Sequence, residues 1–258
     1  MKIQPKTLLT SAAGFLVAVA AWQLVATGPM AGGPLPTVTS VAVNLAAVVV
    51  TEAFWTSLAT TVGIALLGLL TSAVAGIALG ILVGSFEPFR YATVAVLEFL
   101  KPIPPIVILP LVVLVLGPTG QMSWFLVFLG CLLPIIMQTV DGVHDADPVA
   151  RDTARSYGLK EPEILLRVVL PSAMPFIGTA IRVAAPGALI ITVVAGLLGG
   201  GPGLGQSIYQ AQAGGDYPTL YALVIVLGVL GMFFQGATSA VERRMLHWHE
   251  SFREAAHR

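Results

Sequence analysis

The run from Asp147 to Pro171 reads DPVARDTARSYGLKEPEILLRVVLP, the longest charge-rich stretch between two long apolar ones. Its basic residues are Arg151, Arg155, Lys160 and Arg167, and its acids are Asp147, Asp152, Glu161 and Glu163. In a chain that is 56% hydrophobic, such a segment has to sit in water or against a protein partner. Asp147 before Pro148 is a helix start, an N-cap carboxylate followed by proline at the first helical position. The spacing predicts a helix to about Tyr157, with Gly158 as its left-handed cap. Ala150, Ala154 and Tyr157 fall on one face that suits close docking in a groove. Arg151 and Arg155 line another, with Asp147 and Asp152 placed to pair with them. A second short helix is predicted from Glu161-Pro162 to Leu170-Pro171.

Working outward, only 10% of the 258 residues are charged, against about 25% in an ordinary soluble domain. The mean hydropathy is +0.89. Too few polar residues remain to cover a water-facing surface, so lipid is the solvent for most of the chain. The expected class is an all-α integral membrane protein. Its net charge is zero, which gives no long-range attraction for nucleic acid. Cys131 is the only cysteine and lies in an apolar run, so no intrachain disulfide is possible and a buried free thiol is expected.

About six apolar runs are long enough to span, at roughly 8–26, 60–84, 91–116, 122–140, 174–198 and 219–241. The first, preceded by Lys2 and Lys6, also fits a secretory signal with Ala18-Val19-Ala20 as its cleavage site. Trp22 near its end suits an interfacial ring. GPMAGGPLP after it is a loop. Residues 38–51 are apolar but short, and fit either an interfacial helix or an extension of the next span. In the second span Ala73, Gly76 and Gly80 make one small face for close packing. In the third, prolines at 102, 104, 105 and 110 break the helix just after Glu98 and Lys101. Broken backbone at membrane depth requires cover from protein or a water-filled cavity.

The loops at about 27–52, 117–121 and 199–218 contain no Lys or Arg. Lys2, Lys6, Arg90, the four basic residues of 147–171, Arg243, Arg244, Arg253 and Arg258 all fall on the other side. The positive-inside rule then puts both termini and 147–171 in the cytoplasm.

At this point the chain resembles a known family. The permease subunits of bacterial ABC importers carry a cytoplasmic motif of E-A-A, three residues, G, nine residues and I-x-L-P. Here Asp152-Thr153-Ala154, Gly158 and Val168-x-Leu170-Pro171 match both spacings, with Asp, Thr and Val as departures. The resemblance runs from about Pro34 onward and is closest to the nitrate/sulfonate/taurine branch. It includes Lys101-Pro102-Ile103-Pro104, Asp147-Pro148, Gly178-x-x-x-Arg182 and Gly203-Leu204-Gly205; Ala195-Gly196 departs from an Ala-Glu pair common in that branch.

The resemblance implies a type I ABC importer permease fold in the bacterial inner membrane, as a dimer with a second copy of the permease. It implies that Ala150, Arg151, Asp152, Ala154, Arg155, Tyr157, Gly158, Leu170 and Pro171 couple to two ATP-binding cassette subunits. Those partners would bind ATP and Mg, and an extracytoplasmic solute-binding protein would deliver the solute. The chain itself is expected to be non-catalytic and to hold no cofactor or metal. A P-loop needs Gly-Lys-Ser/Thr, and none of Lys2, Lys6, Lys101 or Lys160 follows a glycine. The cargo implied is a sulfonate, nitrate, related organic anion or vitamin precursor.

Other features have two readings each. Glu98, Lys101 and Pro102 either line the pathway or form a neutralised pair beside a break near the interface. Arg182 either faces the pathway or snorkels and packs on the coupling segment. Gly203 and Gly205, within GGGPGLG, suit an outer gate or bend; no soluble strand precedes them, which removes a phosphate-loop role. His247 and His249, at i and i+2, do not share a helix face, so Trp248 beside a basic tail reads as an interfacial anchor. The rival function is an ATPase-independent secondary transporter or channel, which predicts more intramembrane acids than Glu98 alone.

Overall fold

The structure is a computed structural model and describes residues 5–245. Lys2, the side chain of Lys6, the His247-Trp248-His249 run, Arg253 and Arg258 lie outside the described residues. The helices in chain order are α1 (Pro5–Thr27), α2 (Val38–Val49), α3 (Glu52–Ser85) and α4 (Glu87–Leu100). A 3-10 turn (Pro105–Ile108) leads into α5 (Leu109–Leu116) and α6 (Gly120–His144). Then come α7 (Pro148–Ser156), α8 (Glu161–Ile164) and a π-helical turn (Leu165–Val169). The chain ends with α9 (Leu170–Gly199), α10 (Leu204–Ala213) and α11 (Tyr217–Met245). No strand occurs among the described residues.

Among the described residues five helices are long and apolar enough to cross a membrane, and a bent pair, α4 with the 3-10 turn and α5, brings the number to six if the pair is taken as one span. The pair is bent by 81° at the proline cluster. Pro104 and Pro105 lack the N–H groups that a continuing helix would need there. The break therefore falls where the sequence puts it.

The centre of the fold is α3 against α6, with α9 packed on both. Glycine decides how close α3 comes. A Cβ on Gly76 would lie 2.8 Å from Ile135, one on Gly80 2.5 Å from Thr139, and one on Gly84 2.9 Å from Val143. Gly68 meets Val127 in the same way. Each partner lies 59 positions on, so the two helices run parallel in constant register. Absent side chains let the backbones approach, which is how helices associate where lipid removes the hydrophobic drive. Ser72 Oγ reaches Phe128 O at 2.9 Å, and Trp124 Nε1 donates to Thr71 Oγ1 at 3.2 Å. Cys131 is buried in the same core, with Sγ 3.7 Å from Ala184 O.

Two elements differ from the sequence reading, and at residues 38–51 one of its two alternatives, an extension of the next span, drops out. The second span starts at Glu52, well before the apolar run, because Thr51 caps it with Oγ1 accepting from Phe54 N at 3.3 Å. Val38–Val49 forms a separate helix of 12 residues, too short to cross at about 1.5 Å per residue, and packs on α11. The 199–218 connection is not an open loop, since it contains α10, packed on α9, α11 and α3.

The basic-free connections gather at one end. A Cβ on Gly200 would lie 3.4 Å from Pro118, and one on Gly120 3.8 Å from Pro202. The opposite end holds a second cluster of Val143, Ala146, Ala154, Ile164, Val169, Ala173 and Ile177, which seats the charged segment.

Candidate functional site

The charged segment folds as its caps direct. Asp147 accepts from Val149 N at 2.8 Å, and Pro148 opens α7. Gly158 takes φ +82°, a left-handed conformation open to glycine at little cost. Its N–H bonds Arg155 O at 2.9 Å and Leu159 N–H bonds Ala154 O at 3.1 Å, the paired bonds of a Schellman turn. Leu159 also packs beside Ala154, completing that turn.

The faces of α7 divide differently from the sequence reading. Ala154 is buried against the spans, Ala150 is half-buried, and Tyr157 is 82% exposed. The small residues therefore seat the helix on its own protein, and Tyr157 stands outward with Val149, Asp152 and Thr153. The two arginines also separate. Arg155 pairs with Asp152 at 3.0 Å and Glu161 at 2.9 Å on the exposed side. The hydrogen bond from Arg155 holds the Glu161 carboxyl below the ordinary carboxylate range, and Glu161 in turn raises Arg155. Arg151 turns inward, where its Nη2 donates to Val143 O in the last turn of α6.

Leu170-Pro171 does not close a second short helix. Glu161 to Gly199 runs as one continuous helix of 39 residues, of which the apolar part from about residue 174 is the span, with the π turn ahead of Pro171. Proline has no N–H for the carbonyl one turn back, and a wider turn accommodates that gap without ending the helix.

Two clefts open beside α6 at the same end. One, of about 270 Å³, is lined by Lys101, Pro134, Gln138, Asp141 and Thr179 among others. The second, of about 380 Å³, is lined by Arg90, Glu98, Asp141 and His144 among others. Glu98 and Lys101 are 4.0 Å apart and each 58% exposed, a loose pair that screening leaves with little energy. Asp141 belongs to both clefts, and no pattern in the sequence singles it out. Pro102 sits in the break between α4 and the 3-10 turn.

Arg182 lies deeper. Its Nε is 2.9 Å from Glu242 Oε2, an ion contact out of line for a hydrogen bond. Thr179 Oγ1 donates to Glu242 Oε1 at 3.2 Å. Glu242 is 6% exposed and belongs to α11, so the polar tail begins after it. The sequence places Glu242 outside the last span; the signal available was Arg182, a cation inside a span that needs an acid.

At the other end Gly203 and Gly205 are packing positions. Leu204 is fully buried and its N–H donates to Thr61 Oγ1 at 2.8 Å. A Cβ at Gly203 would meet Thr61, and one at Gly205 would collide with Val193 O. Among the described residues no group of three or more His, Cys, Asp or Glu is placed to hold a metal.

A parallel glycine seam, a pair of helices bent at prolines and a short capped helix exposed between two long ones describe a helical membrane protein, and comparison with known proteins says of which kind. Residues 76–247 match the family described as binding-protein-dependent transport system inner membrane component. A probable ABC transporter permease of Brucella abortus is 32% identical over 70% of this chain and 74% of its own. A putative aliphatic sulfonates transport permease of Bacillus subtilis is 27% identical over 92% of this chain and 86% of its own. Among solved structures, a chain of a bacterial ABC transporter involved in the import of alginate shares the fold. It aligns with a TM-score of 0.68 at 15% identity, covering 93% of this chain and 94% of its own. The fold is that of type I ABC importer permeases. The chain belongs to the binding-protein-dependent inner membrane components, the permeases of ABC importers, on a branch whose relatives include nitrate, sulfonate and taurine permeases.

Proposed function

We propose that this chain forms the solute pathway as a dimer with a second copy, and that residues 147–171 couple it to two separate ATPase subunits. Those subunits bind ATP and Mg, and an extracytoplasmic binding protein delivers the solute. Both termini lie in the cytoplasm of a bacterium, as the side chosen by Lys and Arg indicates. The cargo is a small organic anion or related solute of the nitrate, sulfonate and taurine kind, or a vitamin precursor, with selection largely made by the binding protein.

The observation that carries the coupling role is Tyr157. An aromatic side chain 82% exposed beside an exposed Val149, on a charged helix between spans, is a surface made for a partner. ATP binding would close the ATPase pair, the α7 helices would follow, and the two bundles would turn outward as rigid bodies. Glu98, Lys101, Pro102 and Arg182 are the pathway candidates. Gly203 and Gly205 would act by holding α10 tightly at the outer end.

The test is co-purification and uptake with Tyr157→Glu. The unmodified chain is expected to carry the ATPase subunit through purification, and Y157E to lose most of it along with ATP-driven uptake. Normal uptake by Y157E would overturn the docking role.

A further inference from the structure

We infer that Arg151 is a positioning residue, a strut that fixes the α7 helix to the end of α6 and carries its movement into the cytoplasmic clefts. The inference rests on the coupling role proposed for 147–171 and specifies how that role reaches the spans.

Arg151 and Ala154 are three residues apart and share the face of α7 turned to the protein. Ala154 is buried there, and the Arg151 guanidinium reaches Val143 O. A helix leaves its last four carbonyls without intrahelical donors and carries partial negative charge at that end. A guanidinium there satisfies both demands. Among the described residues, Arg151 is the one side chain of 147–164 that hydrogen-bonds to a span. The partners of Arg155, Glu161 and Glu163 all lie within the segment.

The far end of the strut is well chosen. Val143 is buried and packs where a Cβ on Gly84 of α3 would be, and Gly142 beside it meets Phe176 of α9. The carbonyl that Arg151 holds is thus at the junction of α3, α6 and α9. Two, three and six residues back on α6 lie Asp141, Val140 and Met137, which between them line the two clefts. A push on α7 passes through the guanidinium into this junction without relying on the backbone of Asp145 and Ala146. Arg151 Nε is buried with no partner. That leftover donor costs stability, which a side chain kept for packing alone would not incur.

The experiment uses the full transporter complex with its ATPase subunits, with Gln138→Cys as a reporter in the 270 Å³ cleft. Its maleimide labelling rate is compared without nucleotide and with ATP and vanadate. The ratio is expected to differ from one in the otherwise unmodified chain. Arg151→Gln should bring that ratio back towards one, removing a coupling of roughly fivefold or more, the lower range of site-to-site coupling. It should still co-purify with an ATPase subunit that hydrolyses ATP. Arg151→Lys, which keeps the charge and a donor, should restore part of the ratio. Arg151→Met, which keeps the stem and removes the donors, carries the same test if R151Q assembles poorly. A full ratio in R151Q or R151M, with the ATPase bound, overturns the strut and leaves the docking role standing. Failure of the unmodified chain to bind any ATPase overturns both.

Discussion

The α3–α6 seam and the 147–164 segment are both helices laid on helices, yet they are joined in opposite ways. Along the seam, contact is backbone against side chain at every second turn or closer, from Gly68 to Gly84, and tolerates no added atom. The segment touches the body through a few apolar residues around Ala154 and Ile164 and through one guanidinium. The first arrangement moves as a unit because nothing in it can slide. The second has few attachments, and its own caps and ion pairs hold its shape. The contrast suits the proposal that motion enters this permease through one small surface.

The largest way to break this contrast is at the seam. Gly80→Leu would place a branched side chain where a single Cβ already lies 2.5 Å from Thr139. Overpacking of this kind costs about 3 kcal/mol, and the thermal midpoint in detergent should fall clearly. An unchanged midpoint would mean that the seam is looser than its glycines indicate.

A smaller effect is expected at Gly158. Alanine at φ +82° costs about 1 kcal/mol, but only where the segment turns. Gly158→Ala should speed amide exchange around residues 155–160 and leave the global midpoint in place. A midpoint drop as large as that of G80L would show that segment and seam fold as one unit, erasing the distinction.

The smallest effect belongs to the exposed Arg155–Glu161 pair. Its hydrogen bond depresses the Glu161 carboxyl in the folded state, so the stabilisation is present above the unfolded carboxylate range, about pH 4.3. It is lost as pH falls through the lower folded value. Amide protection at 155–164, corrected for the intrinsic slowing of exchange in acid, should therefore fall on acidification through that window, and Glu161→Gln should remove the pH step by showing the same small loss already at neutrality. A neutral-pH loss in E161Q larger than that acid step would give the pair more weight than its exposure allows.

The parts of this fold that sequence discloses are those set by local chemistry. Asp147-Pro148 and Gly158 start and stop α7 through their own backbone preferences, and the proline cluster at 102–110 bends the third span. Ala73, Gly76 and Gly80 announce a packing face before its partner is known. What escapes is what depends on distant partners. α10 is hidden because its anchor, Leu204 N–H on Thr61 Oγ1, joins residues 143 positions apart. Glu242 reads as tail until Arg182 and Thr179 are seen beside it. Asp141 gains meaning only between two clefts. Likewise Ala150, Ala154 and Tyr157 share a helical spacing, but only tertiary packing decides which of them faces inward.

The π turn at Leu165–Val169 sets a phase. From Glu161 the chain is one helical rod to Gly199, and each α-helical residue advances such a rod by about 100° and 1.5 Å. Removing one residue within the wide turn would restore an ordinary pitch. It would also swing α7 about a quarter of a revolution around the rod, so that Tyr157 pointed along a new bearing. The heading of the exposed helix is therefore written as a residue count. One codon gained or lost there would re-aim that helix without altering a single side chain on it.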